Sequence, residues 1–344
     1  MRLPWHDESR RQFISRAEAG NLPHALLISG DTGIGKLAFA SEAAAALLCQ
    51  ATTSDAACGE CKSCHLLLAG THPDLASIEP AEPGKQIKVD EIRALGEFVE
   101  KTPQISRYKV AIIHPAEKMN TAAANSLLKN LEEPPGETYL LLVSSSPATL
   151  LATIRSRCQL VSLQTPSRAE SANWLREQRA DVDFEVLLDI AENRPLLALG
   201  YAESDIPAIR DQIRSDLLTL TKGASAVVSV AEKWRNHDPN QTLLWLQSWL
   251  QDGIRLYATD NTEFLRVPAD SEWLRAALQG ASSAELQGLL QDVTDARRIV
   301  LSGTNPNWQM LIEEVLLRWA TAIHPRGRLS GSLSEFPVGI NDTL

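Results

Sequence analysis

Residues 24–37 read His-Ala-Leu-Leu-Ile-Ser-Gly-Asp-Thr-Gly-Ile-Gly-Lys-Leu: a short apolar run, a glycine-rich turn, then the start of an Ala- and Leu-rich stretch. This is the order of a buried strand, a phosphate-type loop and a helix, and it matches G-x-x-x-x-G-K in the context the motif requires. Gly30, Gly33 and Gly35 would let backbone N–H groups turn toward phosphate oxygens at a helix N-terminus. Lys36 would reach the outer phosphates. The alternative is a glycine turn that only packs helix against strand. Leu37 is the discordant residue, because the Ser or Thr it replaces normally ligates Mg²⁺.

The second place to look for a metal ligand is the end of the next strongly apolar strand, residues 109–113. There the chain reads His114-Pro115-Ala116-Glu117 and offers no acidic pair. Without both Mg²⁺ ligands, the charge that develops on a transferred phosphoryl group lacks its main counter-charge, so intrinsic hydrolysis is not expected. A nucleotide bound without turnover stays open.

Around these segments strand and helix signals alternate. Strands are expected at 24–29, 75–79, 109–113, 139–143 and 158–163, and helices at 36–49, 89–101 and 121–133, with a helical turn at 148–154. Pro134 and Pro135 stop the third helix. Such β-α-β repetition gives an α/β domain with a mostly parallel sheet covered by helices. After Pro166 the strand signals fade. Two short helices are expected at 167–179 and 183–192, and the pattern stays helical from 207 to about 323. Six tryptophans (Trp234, Trp245, Trp249, Trp273, Trp308 and Trp319) fall there, as bulky filler for a helical bundle.

The chain holds 33 Lys plus Arg against 43 Asp plus Glu, a formal charge of −10, which disfavours autonomous high-affinity binding to nucleic acid. No apolar run suits a signal peptide or a membrane span, so a cytoplasmic protein is expected. In that compartment its five cysteines are not a disulfide framework. Four of them, Cys49, Cys58, Cys61 and Cys64, are separated by eight, two and two residues. Four thiolates at such spacing suit a closed, tetrahedral, structural zinc site. The alternatives are unligated thiols or a redox pair, and the latter fits badly with four clustered cysteines. His65 and His72 are nearby alternative ligands but are read as loop histidines, and Cys158 as a buried strand residue.

Arg155-Ser156-Arg157-Cys158 closes a short helix before the last strand. On spacing alone, these arginines cap carbonyls or pair with surface acids. The wider pattern gives another reading. HALLISGDTGIGK, the cysteine insert running into AGTHPD, AAANSLLKNLEEPP and LLATIRSRCQLV occur in this order across residues 22–165. Together they resemble the delta-prime subunits of bacterial DNA polymerase III clamp loaders, within the AAA+ superfamily.

The resemblance implies an AAA+ P-loop domain at 1–165 with its cysteine module at 49–64, a helical lid at 166–207 and a helical collar at 208–324 that joins subunits in a ring. The tail at 325–344 is expected to be disordered. It implies further that Cys49, Cys58, Cys61 and Cys64 hold zinc, and that Arg157 is a finger supplied in trans to the ATP site of a neighbouring gamma or tau subunit. The partners implied are gamma/tau, the delta subunit and, through the assembled complex, the sliding clamp and primer-template DNA, with no membrane. The chain would be a non-hydrolysing component of the DNA polymerase III holoenzyme. In the expected lid, Leu196 of Asn193-Arg194-Pro195-Leu196 cannot sense phosphate, and Arg194 is expected on the surface. The rival readings are an active gamma/tau-like ATPase and a zinc-dependent nucleic-acid adaptor.

Overall fold

Five short strands build one sheet: β1 (Ala25–Ser29), β2 (Leu75–Ile78), β3 (Lys109–Ile113), β4 (Thr138–Ser144) and β5 (Gln159–Ser162). All neighbours run parallel, in the order β2-β3-β4-β1-β5. The computed structural model describes residues 2–82, 84–134, 136–302 and 306–323. The chain divides into two compact units, Met1–Ala202 and Glu203–Leu344.

In the first unit the two-residue period of the strands sorts their side chains between two helical layers. Leu26, Ile28, Val110, Ile112, Leu141 and Val143 face α1 (Asp7–Glu18) and α2 (Lys36–Leu48), meeting Phe13, Ile14, Phe39 and Ala43. Ala25, Leu27, Ala111, Ile113, Leu140 and Leu142 take the other face. After the short α3 (Lys62–Leu68), the helices α4 (Val89–Glu100), α5 (Thr121–Glu132) and α6 (Ala152–Arg155) cover that face with Ile92, Leu95, Leu127, Leu131 and Ile154. The strand C-terminal ends therefore line up along one edge, where β1 leads into the glycine loop and β3 into His114.

Every expected strand and the helices expected at 36–49, 89–101 and 121–133 are present within two residues of their expected ends, whereas the helical turn expected at 148–154 begins four residues later, as α6. Helix α1 was not expected. Its buried residues are only Arg10, Phe13 and Ile14, too few to print a period on the sequence. Cys158 is a correction: it lies half-buried in the bend before β5, and burial pushes its thiol up to about 11. Helices α7 (Arg168–Gln178), α8 (Glu185–Ile190) and α9 (Pro195–Ala202) follow β5 and belong to this same unit.

The second unit is helical: α10 (Ile206–Thr221), α11 (Val227–Trp234), α12 (Pro239–Thr259), α13 (Ser271–Ala277), α14 (Ser283–Leu301) and α15 (Trp308–Ile323). Its tryptophans do fill the core, with Trp234, Trp249 and Trp319 fully buried. Most of these indole N–H groups find acceptors inside the bundle, while that of the buried Trp245 has none among the described residues. Trp234 donates to Asp216 at 3.0 Å, Trp249 to Asp270 at 2.9 Å and Trp273 to the Arg214 carbonyl at 3.1 Å. Asp270 also holds the buried Arg210, which lies over the Trp249 ring. Losing one member of such a pair strands the other and costs about 3–5 kcal/mol. No helix among the described residues is long and apolar enough to cross a membrane. The expected disordered tail at 325–344 and the expected stop at Pro135 lie outside the described residues.

Candidate functional site

The glycine loop leaves β1 at Gly30, where an added Cβ would lie 2.6 Å from the Leu163 carbonyl oxygen that follows β5. Gly35, at φ +90°, is the N-cap of α2 in the left-handed region, where any side chain is strained. The loop thus has the turn the motif calls for, with Gly33 between. Lys36 opens α2, but its side chain is buried and turns back, Nζ donating to the Asp31 carbonyl at 2.6 Å. Burial holds the Lys36 amine below its usual range, opposed by the nearby Glu117 and Asp31 carboxylates. Leu37 brings no oxygen to the loop.

Residues from both ends of the unit close over this cradle. Leu3 is fully buried, and its Cδ1 stands 2.0 Å from where a Gly35 Cβ would be. The Trp5 indole donates to the Ile34 carbonyl at 2.8 Å, and the Leu196 amide donates to the Gly33 carbonyl at 3.0 Å. Arg194 corrects its expected surface placement: it is partly buried, its Cβ stands 3.3 Å from where a Gly33 Cβ would be, and its Nε donates to the Ala191 carbonyl at 2.6 Å. Beyond β3, Glu117 accepts from the Ser145 amide at 3.0 Å, and burial lowers the His114 pKa. His114 and Pro115 therefore occupy the strand end without supplying a metal-binding carboxylate.

His6 is buried beside Phe39 and Trp5, and both ring nitrogens lack a partner among the described residues. Desolvation, reinforced by Arg10 and opposed by Asp7, pushes its pKa down to about 4. Below pH 6.5 the unfolded chain takes up this proton while the folded chain does not. The stabilisation is therefore complete above pH 6.5 and is lost as pH falls toward 4, about 3 kcal/mol in total. Chemical denaturation at pH 7 and pH 4.5 checks this: His6→Leu is expected to flatten the difference. An unchanged pH slope in that variant would assign it elsewhere.

The four cysteines of the insert come together as expected. Their Sγ atoms all lie within 4.8 Å of one another, with Cys49–Cys61 and Cys58–Cys64 at 3.9 Å and Cys49–Cys64 at 3.7 Å. Four sulfurs at ~2.3 Å from a tetrahedral ion stand about 3.8 Å apart, so the donor set fits one ion. Backbone N–H groups point at the sulfurs: Ala51 and Cys58 at Cys49, Cys61 at Cys58, and Cys64 at Cys61, at 3.3–3.4 Å. Donation from the Gln50 and Cys64 amides holds the Cys61 thiol down near 6, whereas burial pushes Cys64 up to about 12. A cation among the sulfurs would let all four ionise.

The module is tied to α1, α2 and the segment before β3 by hydrogen bonds the sequence did not advertise. Ser63 and Ser106 both donate to the Leu48 carbonyl at 2.7 Å, and the buried Arg10 donates to the Asp55 carbonyl at 2.9 Å. His72 is no loose loop histidine. It is buried, its Nδ1 accepts from the Asp74 amide at 3.0 Å, and its Nε2 lies 2.9 Å from Ser63 Oγ. His65 sits exposed on α3, and neither histidine joins the cluster.

Arg157 follows α6, apart from the glycine loop, with its side chain 35 % exposed. It donates to the Thr153 carbonyl at 3.1 Å and pairs with Glu132 at 2.6 Å. The capping and surface pairing that spacing alone suggests are therefore both present, and a partly exposed guanidinium remains.

The family described as DNA polymerase III, delta subunit matches residues 5–167, and the one described as its C-terminal part matches residues 207–321. The DNA polymerase III subunit delta' of Pseudomonas aeruginosa is 36 % identical over 325 residues, covering 94 % of this chain and 98 % of that protein. The subunit delta' of Escherichia coli K12 is 31 % identical over 325 residues, covering 94 % and 96 %. Among solved structures, a DNA polymerase III gamma subunit-related protein from Thermotoga maritima covers 92 % of this chain and 99 % of that one, at 19 % identity and a TM-score of 0.45. With delta' relatives above 30 % identity along nearly their whole length, the chain belongs to the DNA polymerase III delta' subunit family.

Proposed function

We propose that the chain serves as a ring member of a clamp loader that hydrolyses no ATP itself and offers Arg157 to the ATP of a neighbouring gamma or tau subunit. The observation that carries this reading is a mismatch. The cradle of Gly30, Gly33, Gly35 and Lys36 is kept, whereas Leu37, His114 and Pro115 bring no oxygen to Mg²⁺. A triphosphate seated there would lack the metal that neutralises the transferred phosphoryl group. Arginine suits the opposite task, because its planar fork keeps its charge and reaches phosphate oxygens across an interface.

On this reading residues 1–165 form the P-loop domain, 166–207 a lid and 208–324 the collar through which the ring assembles. Zinc at Cys49, Cys58, Cys61 and Cys64 is structural, since four protein ligands leave no open position for water. Delta and gamma/tau are the direct partners, and the sliding clamp and primer-template DNA are met through the assembled complex in the cytoplasm. The acidic balance of the chain, −10, agrees with contact to DNA shared by the ring.

Reconstitution tests this. A complex assembled with the chain is expected to load clamps with DNA-stimulated ATP turnover, and one lacking it is not. Lys36→Ala, which disables only the chain's own loop, is expected to keep at least about half of the wild-type rate, as an exchange outside the transition state should. Loss of loading in that variant would point to ATP turnover within this chain.

A further inference from the structure

Helix α5 ends on Leu131-Glu132, with Glu133 as its C-cap. Carboxylates there face the negative end of the helix dipole, which disfavours them locally. An acid in that position is offset where a cation is brought to it. For Glu132 it is Arg157, carried in from the end of α6, with Nη2 of the guanidinium 2.6 Å from Oε1.

The rest of the contact fixes how the guanidinium is presented. Its other terminal nitrogen, Nη1, donates to the Thr153 carbonyl at 3.1 Å and approaches Ser156 Oγ at 3.5 Å. Both terminal nitrogens are thus held by different elements, and roughly two of the five N–H groups remain for another acceptor. Both side chains are partly exposed, at 35 % and 51 %, so the pair contributes little to stability. A long, flexible arginine gains more from such a pair in orientation: its rotamers are restricted before any partner arrives.

We propose that Glu132 is the positioning residue for Arg157, holding the guanidinium in the pose in which it meets a polyphosphate bound to an adjacent subunit. This rests on the reading of Arg157 as a finger in trans. Glu132 itself touches no nucleotide. Its loss acts through Arg157 alone, and it acts on the chemical step more than on nucleotide affinity.

The test uses the complete reconstituted complex carrying this chain as wild type, Glu132→Gln, Glu132→Asp, Arg157→Ala or the Glu132→Gln/Arg157→Ala double variant. DNA-stimulated ATP turnover is measured across ATP concentrations. Glu132→Gln is expected to lower kcat roughly tenfold with KM for ATP within about twofold, as misorientation of a transition-state group would. Glu132→Asp is expected to recover most of that loss, the double variant to be no slower than Arg157→Ala, and thermal unfolding of the Glu132→Gln chain to match wild type. A normal rate for Glu132→Gln beside a slow Arg157→Ala would overturn the positioning role and leave the finger standing. A further loss from Glu132→Gln in the Arg157→Ala background would also overturn it. Normal turnover in Arg157→Ala would remove the finger, and the positioning role with it.

Discussion

Replacing Arg157 with alanine is expected to slow hydrolysis of the neighbouring subunit's ATP by roughly 10³-fold, the lower end of what fingers in trans contribute. The cost to the chain itself should be small. Arg157 is partly exposed, and an exposed ion pair with Glu132 is worth about 0–1 kcal/mol. The two effects separate experimentally: assembly, read by size-exclusion chromatography, should be intact, while single-turnover hydrolysis at the adjacent site collapses. Arg157→Lys is expected to recover little, because an ammonium carries the charge without the planar fork. Equal rates for wild type and Arg157→Ala would return the residue to the capping role that its Thr153 contact already performs.

The second large effect is expected at the cysteine module. Cys61→Ser removes one of four sulfurs that lie within 4.8 Å of one another, yet it preserves a side chain able to cap α3, since Cys61 is that helix's N-cap. Any change therefore reports on the ion. Structural zinc contributes on the order of 10 kcal/mol to the folding of small modules. Here the loss should be confined to the insert, because the sheet has its own two-sided core. Metal analysis is expected to fall from one zinc per chain to none, with proteolysis appearing between residues 50 and 61. Cys158→Ser, away from the cluster, should change neither. Zinc-free wild-type protein that resists protease as well as a zinc-loaded preparation would contradict a structural ion.

Strands such as 109–113 were legible because a parallel sheet covered on both faces demands unbroken apolar runs. The glycine loop was legible because its turn tolerates few residues, and the cysteines because metal geometry fixes their spacing. What escaped the sequence was held by single long-range contacts. Nothing in Leu3-Pro4-Trp5-His6 announces that it folds over the glycine loop, since the Trp5 bond to Ile34 spans 29 residues. Ser63 and Ser106 look like ordinary loop serines until both are found on the Leu48 carbonyl. Glu132 belonged to a recognisable run, but its bond to Arg157 depends on how α5 and α6 meet. The one available signal was an acid at a helix C-terminus, where acids are disfavoured. Arg194 was misplaced on the surface because its neighbour in space, Gly33, is remote in sequence.

The most direct measurement is Mg²⁺-ATP turnover by the isolated chain, set beside turnover by gamma/tau subunits with and without it. No hydrolysis alone, together with a marked rise in DNA-stimulated turnover when the chain joins its partners, is the expected result. Hydrolysis by the isolated chain that disappears in Lys36→Ala would place the chemistry in its own loop and contradict a subunit that serves only its neighbour.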